Sequence, residues 1–99
     1  MQDIRHVVFH SPGPRWVVGR SPFEQDGLQH HVAHYRPWLA AGKLALGGPF
    51  LDAAAGGMMI PAPGIDEAEI VAFAQADPAV ASGLLKVEVR TWLVGMKAG

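Results

Sequence analysis

Four stretches with strand character and two with helical character, in the order β-α-β-β-α-β, predict an α+β domain on one four-stranded antiparallel sheet. Three observations carry this. Strand-forming residues cluster at both ends of the chain, in Ile4–His10 (IRHVVFH) and Leu85–Leu93 (LKVEVRTWL). Apolar residues recur at helical steps from Leu28 onward and again from Ile65. Between them, KLALGGPF and GMMIP are short apolar runs separated by a glycine- and alanine-rich turn, as in a hairpin.

The first strand is rich in β-branched and aromatic residues and is broken by SPGPRW, because prolines cannot donate to a ladder. A long loop is then expected to about Gln25, with a short turn around Ser21-Pro22-Phe23. A helix is expected from about Asp26, whose carboxylate is a plausible N-cap. Leu28, Val32, Tyr35 and Leu39 form its apolar stripe. Pro37 lacks an N–H and crowds the carbonyl of Ala33, so a kink or two helical pieces are expected. Gly42 is a natural stop.

Lys43–Phe50 reads as the second strand, 52–57 (DAAAGG) as a turn and Gly57–Pro61 as the third strand. Ile65–Ala76 is the second helix, with acids in its first turn where the helix dipole favours them. Asp77-Pro78 ends it, since a residue before proline avoids helical backbone. Ala79–Gly83 has room for one more turn. In Leu85–Leu93, Leu85, Val87, Val89 and Leu93 fall on one face, and Lys86, Glu88 and Arg90 on the other. The whole is the ferredoxin-like, split βαβ arrangement, with both helices on one face of the sheet. Nothing in the chain remains to cover the other face, and a second copy packed sheet against sheet would do so. A homodimer through that face is therefore expected.

Composition narrows the function classes. Ninety-nine residues hold one core, so residues 1–99 are read as a single domain. A formal charge of −1 with interspersed signs argues against a nucleic-acid surface or a polybasic membrane patch. With no cysteine, a disulfide, a thiolate nucleophile and Cys-ligated zinc are all ruled out. No signal peptide or membrane span is apparent, and a cytoplasmic location is expected. The Gly-Gly pairs match neither phosphate-binding loop pattern, and the serines lack a nucleophile's context.

Chemistry centres on three histidines within five residues, His30, His31 and His34. At about 100° per residue, His31 lies about 50° from the middle of the apolar stripe, at its edge with Trp38. His34 lies further round and His30 nearly opposite. A half-buried imidazole suits a general base, because burial and neighbours tune its proton affinity. Packing at the edge with one ring nitrogen bonded is the plainer alternative. His30 and His34 have the spacing to grip a metal from one helix face, but further ligands at a telling spacing are not apparent; a solvated face is the preferred reading, and no metal site is expected.

Asp77 is either a turn and capping residue or a carboxylate facing His31 across two adjacent helices. Asp52 is a turn residue or a second acid near a pocket. Arg90 is a bidentate clamp for a substrate carboxylate or a partner in a salt bridge. Arg15 and Arg20 are weaker candidates for the same work, and Met58 and Met59 are read as packing.

The stretches HVAHYRPWLAAGKLALGGPFLDAAAGG and ADPAVASGLLKVEVRTW resemble the YCII-related domain, the family of YciI-like proteins. The pattern is His31 eleven residues before Gly42-Lys43-Leu44, then Gly48-Pro49, Asp77-Pro78, Gly83 and a strand ending in Trp92. The resemblance covers nearly the whole chain and implies a dimeric α+β barrel, related to muconolactone-isomerase-like proteins. It also implies a pocket near a His and an Asp proposed as catalytic, which by position are His31 and Asp77. The segment 11–27 departs from the pattern and is a candidate for a substrate entrance of its own.

Two functions follow as expectations. One is a cofactor-independent enzyme of the lyase or isomerase type, transferring protons on a small, lactone- or carboxylate-bearing molecule. His31 would be its acid/base, Asp77 the orienting carboxylate, and Arg90, Asp52 and Trp38 substrate contacts. The other is a non-catalytic dimeric module that binds a small ligand or a protein through the same fold.

Overall fold

The computed structural model describes residues 2–99. Its elements are β1 (Ile4–Pro12), α1 (Leu28–Ala40), β2 (Leu44–Pro49), β3 (Gly57–Pro61), α2 (Glu67–Gln75), α3 (Pro78–Ala81) and β4 (Leu85–Leu93), with a 3-10 turn at Pro22–Glu24. The strands form one sheet in the order β2-β3-β1-β4, every neighbouring pair antiparallel. This is the ferredoxin-like α+β arrangement, with the short α3 added between α2 and β4. Among the described residues no helix is long and apolar enough to cross a membrane.

β1 runs two residues beyond the expected end, because Ser11 and Pro12 still pair with Lys86 and Leu85 of β4. Pairing with β3 stops at His10, so Pro12 needs no donor on that side. Val8 and Val89 are cross-strand partners, and Val8 is also opposite Met59. On this face Val8, Ile70 and Ala74 make the centre of the core, with Trp38, Met59, Ile65, Val87 and Val89 around them. A second cluster, Ala79, Leu84 and Leu85, ties α3 to β4 and packs against Trp16 and Leu28. Alternation sends Val7, Phe9, Lys86, Glu88, Arg90 and Trp92 to the opposite face, away from the helices.

The first helix corrects two expectations. Its N-cap is Gly27, at φ 92°, and no side chain caps it; Asp26 is exposed and lies one residue too early. The chain enters the helix through a left-handed turn, which glycine adopts without the strain a Cβ brings. Pro37 sits inside a single helix rather than between two. It is three residues from the helix end, where one lost N–H costs little continuity, and Ala41 N–H still reaches the Pro37 carbonyl at 2.9 Å. Gly42, at φ 76°, ends the helix as expected. Gly42 N–H bonds the Leu39 carbonyl and Lys43 N–H the Trp38 carbonyl, the paired bonds of a Schellman motif.

The loop after β1 is held by one side chain. Gln25, 4% exposed, accepts from Val17 N–H at 2.9 Å and donates to the carbonyls of Val17 and Arg20 at 2.8 and 3.2 Å. Gly13 N–H bonds the Leu84 carbonyl at 2.9 Å, so the loop is anchored at both ends.

Candidate functional site

The apolar stripe of α1 is buried only in part: Tyr35 is inside and Leu28 half-buried, but His31 from its edge takes the place of Val32 and Leu39. Val32 and Leu39 are 43% and 58% exposed, whereas His31 and Tyr35 are buried. The reason lies on α2. Phe73 takes the rings of His34 and Trp38 in near-parallel stacks and Tyr35 edge-on, so the aromatic side of α1 turns inward. His34 also donates from Nε2 to the Phe73 carbonyl at 2.7 Å. It is thus a packing residue rather than part of a wet face, while His30 is exposed as expected.

Turned this way, α1 brings His31 against Asp77. Nδ1 of His31 donates to Asp77 Oδ2 at 2.5 Å. The other carboxylate oxygen, Oδ1, accepts from Ala79 N–H at 2.9 Å and caps α3. One oxygen of Asp77 thus meets His31 and the other caps α3. Asp77 is fully buried. Burial would raise its pKa, but the bonds from His31 and Ala79 and the nearby imidazole charge outweigh it and hold the carboxyl below its ordinary value.

A third group closes the cluster. His10 of β1 is buried, its ring edge-on to His31 at 4.6 Å between centroids. Its Nε2 is 3.9 Å from Asp77 Oδ2, beyond a hydrogen bond, and among the described residues it has no partner. Burial pushes the His10 pKa down to about 4, the charge of His31 adds to this, and Asp77 only partly opposes it. Tyr35 packs against both rings, and its buried hydroxyl also has no partner among the described residues. Burial, then the Asp77 charge, raises its pKa and keeps it a neutral phenol.

His10, His31 and Tyr35 line a cavity of about 360 Å³ between α1, the β2–β3 hairpin and the loop after β1. Its walls are mostly apolar: Phe23 and Trp16 from the loop, Leu28, Val32 and Leu39 from α1, Met58 and Met59 from β3. Arg36 is its one cationic wall residue. Asp77 stands behind His31, outside the lining. The hairpin approaches closely here: a Cβ on Gly56, at φ 127°, would lie 2.3 Å from the His10 carbonyl oxygen.

The other candidates lie elsewhere. Trp38 is half-buried in the core against Phe73, with the Lys43 ammonium 5.5 Å from its ring. Asp52 is exposed and accepts from Ala54 N–H at 3.1 Å, within its own turn. Arg90 is exposed on β4, opposite Val7 on the face without helices. None of the three lines the cavity. The sequence pattern sets His10 aside, because it lies on a different element from His30 and His34, and singles out neither Tyr35 as a polar group nor Arg36. Signals existed: His10 is two residues from core Val8, hence on its face, and Arg36 is one helical turn from Val32 and Leu39.

His10, His31 and Asp77 each offer one donor atom to a metal, all within 4.8 Å of one another. The family model described as the YCII-related domain matches residues 5–93. No curated protein and no solved structure matches the chain.

Proposed function

The chain belongs to the YCII-related domain family, and from that premise we propose a small-molecule enzyme of the lyase or isomerase type, with His31 as general acid/base and Asp77 as its orienting carboxylate. The observation that carries this is the 2.5 Å contact from His31 Nδ1 to Asp77 Oδ2 at the wall of a cavity. A carboxylate on Nδ1 fixes the tautomer, leaving Nε2 as the basic nitrogen, and stabilises the imidazolium once a proton is taken.

The cavity is at the small end of ligand pockets, and its apolar walls suit a compact carbon skeleton. In this reading Arg36, rather than Arg90, holds a carboxylate or lactone oxygen. His31 Nε2 removes a proton from carbon next to the carbonyl, and the electron pair moves toward the oxygen. In a β,γ-unsaturated substrate, return of that proton to the γ carbon as the double bond shifts to the α,β position gives isomerisation; departure of a leaving group from the β carbon with its bonding pair, as the enolate re-forms the carbonyl, gives elimination. Such a step needs no further cofactor. A second copy on the sheet face of Phe9, Arg90 and Trp92 completes the proposed assembly, and light scattering after size exclusion reports its mass.

The second reading is a binding module using the same cavity without turnover. Proton exchange separates the two. A panel of small lactones, 2-oxo acids and unsaturated carboxylates is incubated with the protein in D2O and followed by NMR. Loss of an α-proton signal in at least one compound, abolished by His31→Ala and strongly slowed by Asp77→Asn, supports the enzyme. Line broadening on binding without exchange, preserved in both variants, supports the module.

A further inference from the structure

The geometry points to a site for one divalent transition ion of the Zn2+ or Co2+ class, held by His10 Nε2, His31 Nδ1 and Asp77 Oδ2 in place of the proton between His31 and Asp77. The three donors come from different elements, β1, α1 and the cap of α3, and all three residues are buried. Two imidazoles and one carboxylate are a ligand set that such ions take, with an open position left for water or a ligand.

Distances bear on the fit. Donors bound tetrahedrally at about 2.0–2.1 Å lie roughly 3.4 Å apart. The contacts to Asp77 Oδ2 are 2.5 Å from His31 and 3.9 Å from His10, one on each side of that spacing. Side-chain shifts of under about 1 Å bring both to it. The ion also answers a question the dyad leaves open. His10 Nε2 is buried, 5% exposed as a residue, near a carboxylate, and without a partner among the described residues. A buried polar atom of this kind is costly unless something satisfies it, and a metal does. His10 is neutral at pH 7, so it offers its lone pair without first losing a proton. The Asp77 carboxylate compensates one of the two charges, and the phenol of Tyr35 adds none.

His10 and His31 both line the cavity, which gives the fourth position access to small molecules. Loading has a consequence for the acid–base reading, on which the site itself does not depend. An ion on Nδ1 removes the His31–Asp77 hydrogen bond, so metal and proton compete for the dyad.

The test is a Co2+ titration of the chelator-treated protein at pH 7, followed by visible absorption and by calorimetry. Expected are one ion per chain and the ligand-field bands of a four- or five-coordinate site. His10→Leu should weaken binding at least tenfold, as should Asp77→Asn, while His30→Ala leaves it unchanged. Zn2+ should raise the melting temperature of the wild type and of His30→Ala, and not that of His10→Leu. If His10→Leu does not fold by circular dichroism, His10→Gln takes its place. Absence of stoichiometric binding overturns the site, as does affinity indifferent to His10 or lost with His30. Binding with these signatures but no proton exchange on any substrate would sink the enzyme reading and leave the metal site standing.

Discussion

His31 and Asp77, forty-six residues apart, meet through a 2.5 Å hydrogen bond, and the same carboxylate caps α3 through its second oxygen. One side chain thus joins the first long helix to the start of the last. Removing it harms two things, and the two are separable.

Asp77→Asn keeps an acceptor for Ala79 N–H, since asparagine is as good an N-cap as aspartate, but loses the charged bond to His31. A loss of about 1–3 kcal/mol in urea unfolding is expected. Asp77→Ala removes the cap as well, adding about 1 kcal/mol. Equal losses in the two variants would mean that the cap contributes nothing.

Acid should destabilise the fold in two stages. His10 has a folded pKa of about 4 against 6.5 unfolded. Above pH 6.5 neither state binds its proton and there is no effect. Between 6.5 and about 4 only the unfolded state binds it, so stability falls with pH, by at most about 3 kcal/mol. Asp77, with its pKa lowered, stabilises the fold above the unfolded value of 3.8, and this is lost as pH drops through the folded value. The groups facing His10 are His31, Tyr35 and Asp77. Melting temperatures of the wild type and His10→Leu from pH 4 to 8 check the first stage. A slope between pH 4 and 6.5 that is the same in both assigns it to other groups.

The helical histidines should differ sharply. His34→Ala loses a stacked ring and a bond to the Phe73 carbonyl, and is expected to cost about 1–2 kcal/mol. His30→Ala, at an exposed position, should stay within about 0.5 kcal/mol of wild type. Denaturant midpoints at pH 7 are sufficient to rank them.

Gln25→Ala should loosen the loop that supplies Trp16 and Phe23 to the cavity. Three hydrogen bonds go; the Val17 N–H and the Arg20 carbonyl lose their partner, while the Val17 carbonyl keeps the longer bond from Arg20 N–H at 3.4 Å. A cost of about 1–3 kcal/mol is expected, with faster amide exchange in residues 14–24 than elsewhere. Unchanged exchange there would show that the contacts of Gly13 to Leu84 and of Arg15 to Gly83 hold the loop unaided.

The elements were legible because their causes are local. β3 and β4 have the bounds that alternation and breakers predict, and Gly42 stops α1 through its own left-handed backbone. Helix starts were less legible. Asp26 has a capping side chain, yet the entering turn makes Gly27 the cap, and nothing in a residue's type reveals the direction from which the chain arrives.

The pairing of His31 with Asp77 came from a resemblance of motifs; their contact is tertiary. So is the burial of His31, expected at the edge of an apolar stripe. A helical wheel identifies which residues share a side of α1, and only the neighbour decides which side goes in. Here Phe73, arriving from another helix, draws in the aromatic side, and Val32 and Leu39 are left to face a cavity. His10 joins the cluster through strand pairing and helix docking together. Periodicity is a property of a segment, whereas a site is an intersection of segments, and packing sets where they cross.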